Sequence, residues 1–473
     1  MKKILLILIT LLYFTHVQAQ QYGLFGTETM FDAFENVSQK SFTLNSSRQF
    51  SANFFLPYFG SNAANRGPAA NVIRNLVQAG QVDTRGLPLG LNKDNHLFEN
   101  SNVYVAALRI FKSYKYQKEM GFSWQIRSDL DLKYTNESLA IFDSYTRFPT
   151  DKMLTGIFNT DGYQQGYHQF SFSYRENYDK RLAFGFKASL LSGILYNSLN
   201  IANSSLFIDN GARSLEIGLA GNYRSNFQNL DDIKTKTFIP TFKNPGLSLS
   251  FGTNYTTKQG LFLMGNIKDL GFIWWRNNTT RADLSQTTTI DNVGVNQDRT
   301  NQKIKDIFLL SGTSNKFVAA TNAKADFYMS KTFSFYKPAL VISKNLFYKG
   351  GDAALVNTFF FRGFSASFIP DYNFNDVFMV GLQGKYQSPN FELFLGSDNF
   401  LASAYTTKGL IKQNGAIGGG TNGSGASLYF GIGFKFGDVV NHPQFADIIP
   451  GINDRGDSFF KRLFSGFKTS EKN

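Results

Sequence analysis

Cysteine is absent from the 473 residues. That excludes a disulfide framework, a thiol nucleophile, thiolate-held zinc or iron–sulfur and a lipid-anchored N-terminal Cys. Histidine is scarce: His16, His96, His168 and His442 are widely spaced, with no H-E-x-x-H or paired-ligand pattern. His168 shares parity with Phe170 and Phe172, so it is expected on the apolar side of its strand as an interfacial residue. No G-x-S-x-G nucleophile elbow occurs. The glycines at 418–425 are followed by neither Lys-Ser/Thr nor a helical pattern, so they read as a flexible loop and not as a phosphate cradle. The chain is therefore read as a non-enzyme, with no catalytic, cofactor-binding or metal-ligating residue and no cofactor. Long apolar runs are missing too. Beyond Ala19 nothing reaches the ~18 uninterrupted apolar residues of a spanning helix, and a mean hydropathy of −0.22 rules out a helical membrane bundle.

What the chain does have is Phe, 50 of them, beside 22 Tyr, 3 Trp and 42 Gly but only 11 Pro. Neither a disordered chain nor an ordinary water-soluble domain needs so many aromatics. Lys and Arg outnumber Asp and Glu, 48 to 35, for a formal charge of +13. Lys2 and Lys3, the apolar run Ile4–Phe14 and the small-residue site Val17-Gln18-Ala19 make residues 1–19 a secretory signal peptide. An exported chain of this kind has no use for nucleic acid, so the positive charge is assigned to anionic lipid headgroups.

The dominant pattern is alternation. Phe122, Trp124, Ile126, Leu130, Leu132 and Tyr134 share one parity, and Ser123, Gln125, Arg127, Asp129, Asp131 and Lys133 the other. A strand turns successive side chains to opposite sides, so this segment has one apolar and one wet face. The pattern recurs with Phe170 and Phe172 against Arg175, with Phe184 and Phe186 against Lys187, and with Leu215 and Ile217 against Glu216 and Arg224. It closes with Phe430 and Phe434 against Lys435. Strands this long, joined alternately by short turns and long polar loops, predict an all-β fold: a single transmembrane antiparallel β-barrel of about 14 strands. Phe122, Trp124, Phe170, Phe172, Phe184, Phe186, Phe430 and Phe434 are then lipid-facing, with Phe184 expected at mid-membrane. Arg127, Asp129, Asp131, Lys133, Arg175, Lys187, Glu216, Arg224 and Lys435 line the lumen. Asp129 and Asp131 are expected to be ion-paired with Arg or Lys of neighbouring strands.

The organisation that follows is a signal peptide (1–19), an N-terminal arm (20–47), a barrel (48–437) and a tail (438–473). Within the barrel lie an insert at 62–95, read as a plug or external loop, a long loop at 277–315 and a Gly-rich loop at 409–426. In the tail, Phe460, Leu463, Phe464 and Phe467 recur at helical spacing beside Lys461, Arg462 and Lys468. This is an amphipathic helix suited to a membrane surface or to the barrel's own rim.

Several short motifs carry a resemblance. Ala33-Phe34-Glu35-Asn36-Val37-Ser38-Gln39-Lys40, then Asn53-Phe54-Phe55-Leu56-Pro57, Lys268-Asp269-Leu270-Gly271-Phe272-Ile273-Trp274, Leu395-Gly396-Ser397-Asp398-Asn399-Phe400 and the closing Tyr429–Gly437 resemble an uncharacterised Bacteroidota family of outer-membrane barrels. More distantly the plan is similar to fatty-acid channels and PorV-type barrels, although Asn36-Val37-Ser38 stands where the channels have Asn-Pro-Ala. The resemblance implies a Gram-negative-type outer-membrane address. It also implies a non-enzymatic structural or accessory role in an envelope or secretion system, with outer-membrane lipid and other envelope proteins as partners. The alternative it leaves is a channel for small or hydrophobic solutes of unknown identity.

Overall fold

The computed structural model of the chain describes residues 24–42, 48–79, 83–90, 93–113, 117–226, 238–293, 295, 297–309, 313–374, 377–412, 423–439 and 459–460. The expected signal peptide, most of the Gly-rich loop, and Leu463, Phe464 and Phe467 of the tail lie outside the described residues. The strands begin with β1 (Arg48–Ala52), β2 (Tyr58–Arg66), β3 (Asp94–Ser113), β4 (Lys118–Thr135), β5 (Leu154–Thr155), β6 (Thr160–Asn177) and β7 (Leu182–Asp209). They continue with β8 (Ser214–Ser225), β9 (Pro245–Thr256), β10 (Leu261–Trp275), β11 (Thr280–Asp291), β12 (Phe317–Ala320) and β13 (Lys324–Lys331). The last are β14 (Tyr336–Asn345), β15 (Gly351–Phe361), β16 (Phe364–Asn373), β17 (Val377–Gln387), β18 (Phe391–Ser397) and β19 (Gly423–Val439). Helices are α1 (Met30–Glu35), α2 (Ala70–Ala79), α3 (Asn136–Asp143), α4 (Gln297–Leu309) and α5 (Phe400–Lys412).

Every pairing is antiparallel, and the ring closes: β19 pairs with both β1 and β2, and both of these pair with β3. The wall then runs β3, β4, β6, β7, β9, β10, β13 and on through β18 to β19. With β1 and β2 counted as one interrupted strand, the described residues form the expected closed 14-strand barrel. Closure leaves no edge N–H or C=O unpaired, which is what hydrocarbon demands of a sheet. Short turns gather at one end and the helix-bearing connections at the other.

Not every strand belongs to the wall. β7 is 28 residues long, nearly three times the ~10 residues of a bilayer-crossing strand. Its first part pairs with β9, and its far part, Asn197–Asp209, pairs with β8, which pairs with β11. These far strands leave the ring and form a cap with a core of their own. There Ile201, Leu206, Ile208, Leu215, Ile217 and Ile290 pack against Ile141 of α3 and Ile304 of α4. Glu216 and Arg224 are therefore in the cap sheet and not in the lumen, because their strand has no place in the ring. The apolar parity of β8 has the period of a lipid-facing strand, yet a face buried under helices has the same period. The segment 277–315, expected as a loop, holds β11 and α4. The insert at 62–95 begins inside β2, a wall strand, and continues into α2. Phe184 is the third residue of β7, beside the short turn at 178–181, so it stands near one edge of the wall and not at its middle.

Candidate functional site: a lumen closed by the N-terminal arm

The most organised chemistry is inside the barrel, where the arm from Leu24 to Phe42 is threaded. Thr29 caps α1, its side chain accepting from Asp32 N at 3.2 Å. Six residues are too few to hold a helix by propensity, so packing does it. All six are buried, with Phe31 and Phe34 against inward-facing Tyr58, Tyr104 and Phe394. The lumen is thus partly aromatic, and that part receives the arm. Glycines on the wet parity make the remaining room. A Cβ on Gly185 would lie 1.9 Å from Val37 O, and one on Gly121 would lie 2.8 Å from the Phe34 ring.

The arm's polar groups are met by the wall. Lys337 Nζ donates to Gly26 O at 2.7 Å and Lys385 Nζ to Thr27 O at 2.8 Å. Arg109 donates to Ala33 O at 3.1 Å, Lys187 to Phe34 O at 3.4 Å and Arg175 to Ser38 O at 3.0 Å. Cations at the carbonyl end of a short helix also suit its dipole. Glu119 accepts from Ser41 Oγ at 2.9 Å and from Arg109 at 2.9 Å. Lys435 stands 3.3 Å from Glu392, which accepts the N–H of Met30 at 2.8 Å. Basic side chains on the wet face thus hold arm carbonyls.

At the centre, Glu35 of α1 takes two bonds from Arg127 (2.6 and 2.8 Å), one from Tyr104 Oη (2.6 Å) and one from Asn102 (2.7 Å). Arg127 also pairs with Asp269, which accepts from Gln169 at 2.7 Å and lies 3.1 Å from Lys187. Lys268 completes the set, 2.7 Å from Asp326 and 3.9 Å from Glu35. A break in the β9–β10 register between Ile267 and Leu270, with Asp269 in the left-handed region (φ 52°), buries both Lys268 and Asp269 within the barrel. Alternation alone could not find this pair. The signal was two adjacent charges interrupting the parity of an otherwise regular strand. The cavity left beside this cluster is about 40 Å³, room for little more than a water.

The other expected lumen residues are dispersed. Asp129 accepts from Asn322 at 2.9 Å, and Asp131 faces His96 at 3.0 Å. These contacts are an amide and an imidazole, and the Lys324 and Arg127 charges also act on Asp129. Lys133 is half-exposed at the loop end of β4, 2.6 Å from Asp94. His168 is buried within hydrogen-bond reach of Trp124 Nε1 (3.2 Å), and the Phe242 ring lies tilted against Phe170.

A family model matches residues 33–398, from the second half of α1 to the end of β18, which is more than half of the chain. The chain belongs to DUF5723, a family of unknown function. No curated protein matches it in sequence. Solved structures similar to it include the deltaS2S3 mutant of the monoaromatic hydrocarbon channel TodX (9% identity, TM-score 0.38, 85% of this chain and 94% of that one). Others are the P. putida toluene transporter TodX (8%, 0.33, 83% and 90%) and the translocator domain of the autotransporter NalP from Neisseria meningitidis (8%, 0.32, 82% and 89%).

The outside of the DUF5723 barrel is apolar. Phe122 and Phe430 are exposed, while Trp124, Phe170, Phe172, Phe184, Phe186 and Phe434 are half-buried by ring neighbours on the same face. Six successive wall strands line one outward concavity of about 1000 Å³ through Leu108, Phe122, Phe172, Leu190, Leu249 and Leu270. Phe54 and Phe55, at the break between β1 and β2, stand at its rim. Phe460 is packed on the outer wall against Tyr174 and Phe184, its N–H bonded to Glu176 at 2.8 Å.

Proposed function

We propose that this DUF5723 protein is a sealed outer-membrane β-barrel that serves as a non-enzymatic structural or accessory component of the envelope. The observation that carries this reading is the arm. Residues 24–42 are threaded through the lumen, and their carbonyls and carboxylates are bonded to wall side chains, so solute passage needs the arm to leave. The outward Phe and Leu face acyl chains, the short-turn end faces the periplasm as in barrels generally, and the cap presents a folded surface outside the membrane to other envelope proteins. Planar-bilayer recording tests the seal. The full chain is expected to give no stepwise conductance, and removal of residues 24–42 is expected to produce it. Steady conductance from the intact chain overturns the reading.

A second reading, passage of hydrophobic solutes, is favoured by one feature: the apolar concavity bordered by the interrupted wall strand. A small aromatic hydrocarbon that quenches Trp124 fluorescence in detergent and crosses proteoliposomes faster than through lipid alone would support it.

A further inference from the structure

Buried carboxylates inside the barrel differ in what meets them: Asp129 and Asp352 accept from the amides of Asn322 at 2.9 Å and Asn373 at 2.6 Å, and others meet cations. Glu119, Asp269, Asp326 and Glu392 each have a Lys or Arg nitrogen close by, at 2.9 Å (Arg109), 3.1 Å (Lys187), 2.7 Å (Lys268) and 3.3 Å (Lys435). Asp371 and Asp398 do not. Their side chains are 1% and 0% exposed, and among the described residues no side chain donates to either carboxylate, the backbone N–H of Tyr372 lying beside Asp371. An ionised carboxylate buried without a partner is costly enough that it either takes up a proton or acquires a counter-ion.

The surroundings supply further oxygen. Asp398 N donates to Ser427 Oγ at 2.8 Å, and Ser427 pairs with Asn62 across β19 and β2. On its other side, Asn62 Nδ2 rests 3.5 Å from Met379 Sδ, and Met379 pairs with Asp371. Asn62 is thus one residue removed from each aspartate, from Asp398 through Ser427 and from Asp371 through Met379. Its Oδ1 is fully buried and has no partner among the described residues. Gly381 lets the backbone at Asp398 approach closely; a Cβ there would lie 3.1 Å from Asp398 Cα.

We propose that the loop-side end of the lumen holds one calcium ion, bound by the carboxylates of Asp371 and Asp398, the amide oxygen of Asn62 and water. Among the described residues no three carboxylate or imidazole groups converge as ligands, so the protein supplies two carboxylates and one carbonyl. Calcium accepts such mixed, irregular oxygen sets, whereas magnesium asks for strict octahedral geometry and zinc for nitrogen or sulfur. Two positive charges also cancel the two carboxylates that no wall cation meets.

The test uses the full chain, extracted in detergent, stripped with EDTA and returned to calcium chloride. Equilibrium dialysis with radioactive calcium is expected to find one ion per chain, and calcium, but not equimolar magnesium, is expected to raise the unfolding midpoint. The Asp371→Asn, Asp398→Asn double variant, checked for folding by heat-modifiable migration, is expected to lose both effects. Asn62→Ala, which leaves the charges in place, is expected to bind more weakly. If the wild type binds no calcium at millimolar concentration, the proposal fails, whatever the variants do. An infrared band of protonated carboxyl that disappears in the double variant would then identify protons as what neutralises the aspartates. Calcium retained by a folded double variant overturns the assignment of ligands.

Discussion

Asn53 shows how a strand can be interrupted without opening the wall. Between β1 and β2 the chain steps out through Phe54 and Phe55, both left-handed (φ 46° and 62°), a conformation costly for bulky residues. The Asn53 side chain replaces the lost ladder: Nδ2 donates to Leu56 O at 2.9 Å and Tyr104 O at 3.2 Å, and Oδ1 accepts from Ala107 N at 2.8 Å. Asn53→Ala leaves these backbone groups unpaired and is expected to cost about 2 kcal/mol, read as a lower urea midpoint for loss of heat-modifiable migration. An unchanged midpoint would mean that something other than Asn53 closes the break. Gly185 is the counterpart for the arm. Any Cβ there collides with Val37 O, so Gly185→Val is expected to cost about 1–3 kcal/mol as overpacking and to make the arm cleavable by added protease while the wall stays folded. Protection equal to wild type would show that the arm does not need this gap.

At the scale of elements, the wall was legible in the sequence and the cap was not. Alternating parity over Gly121–Tyr134 and over Leu428–Phe436 identifies wall strands, because a period of two with a small or polar second face has few other uses. The same parity over Leu215–Tyr223 is equally regular, yet its apolar side meets helices and not lipid. Periodicity reports that a face is covered without saying by what. β11 gives no strand signal in the sequence, because Gln286-Thr287-Thr288-Thr289 carries little apolar contrast; its place is fixed by pairing with β8, a tertiary cause. Of the lumen site, Arg127, Lys187, Arg175 and Lys435 are readable, but the acids that meet Arg127 and Lys187 are not. Glu35 lies in a short segment without strand periodicity, and Asp269 is buried through a bulge. Because the cap has its own core, it is expected to fail separately from the barrel. Ile217→Ala, fully buried in that core, should cost about 2–5 kcal/mol. Limited proteolysis is then expected to cut within 197–309 while heat-modifiable migration of the remaining barrel persists. Loss of both together would show one cooperative unit.

The whole molecule has three solvation regimes: an apolar band outside the wall, an interior of rings and mostly paired charges around the arm, and a cap with a separate core. The position of the outer band decides which substitutions are severe. Leu249, in the middle of β9, points outward at 62% exposure and pairs with Ala188 and Leu270 on its two neighbours. If acyl chains bathe this face, Leu249→Arg desolvates a guanidinium far from either surface and should cost ~2–4 kcal/mol in refolding into vesicles. Phe184 is also on the outer face, but it stands beside the short turn at 178–181, where an Arg can snorkel to water and the transfer penalty falls to ~0–1 kcal/mol. Phe184→Arg does forfeit the ring contacts with Phe251 and Phe460, a loss that does not depend on lipid. The two variants are therefore separable by solvent. In vesicles Leu249→Arg should be the more damaging, whereas in short-chain detergent, where an exposed Arg at 249 reaches water easily, the order should narrow or reverse. Equal penalties for Leu249→Arg in vesicles and in detergent would mean that this surface is covered by protein and not by a bilayer, and the membrane reading of the barrel would fall with it.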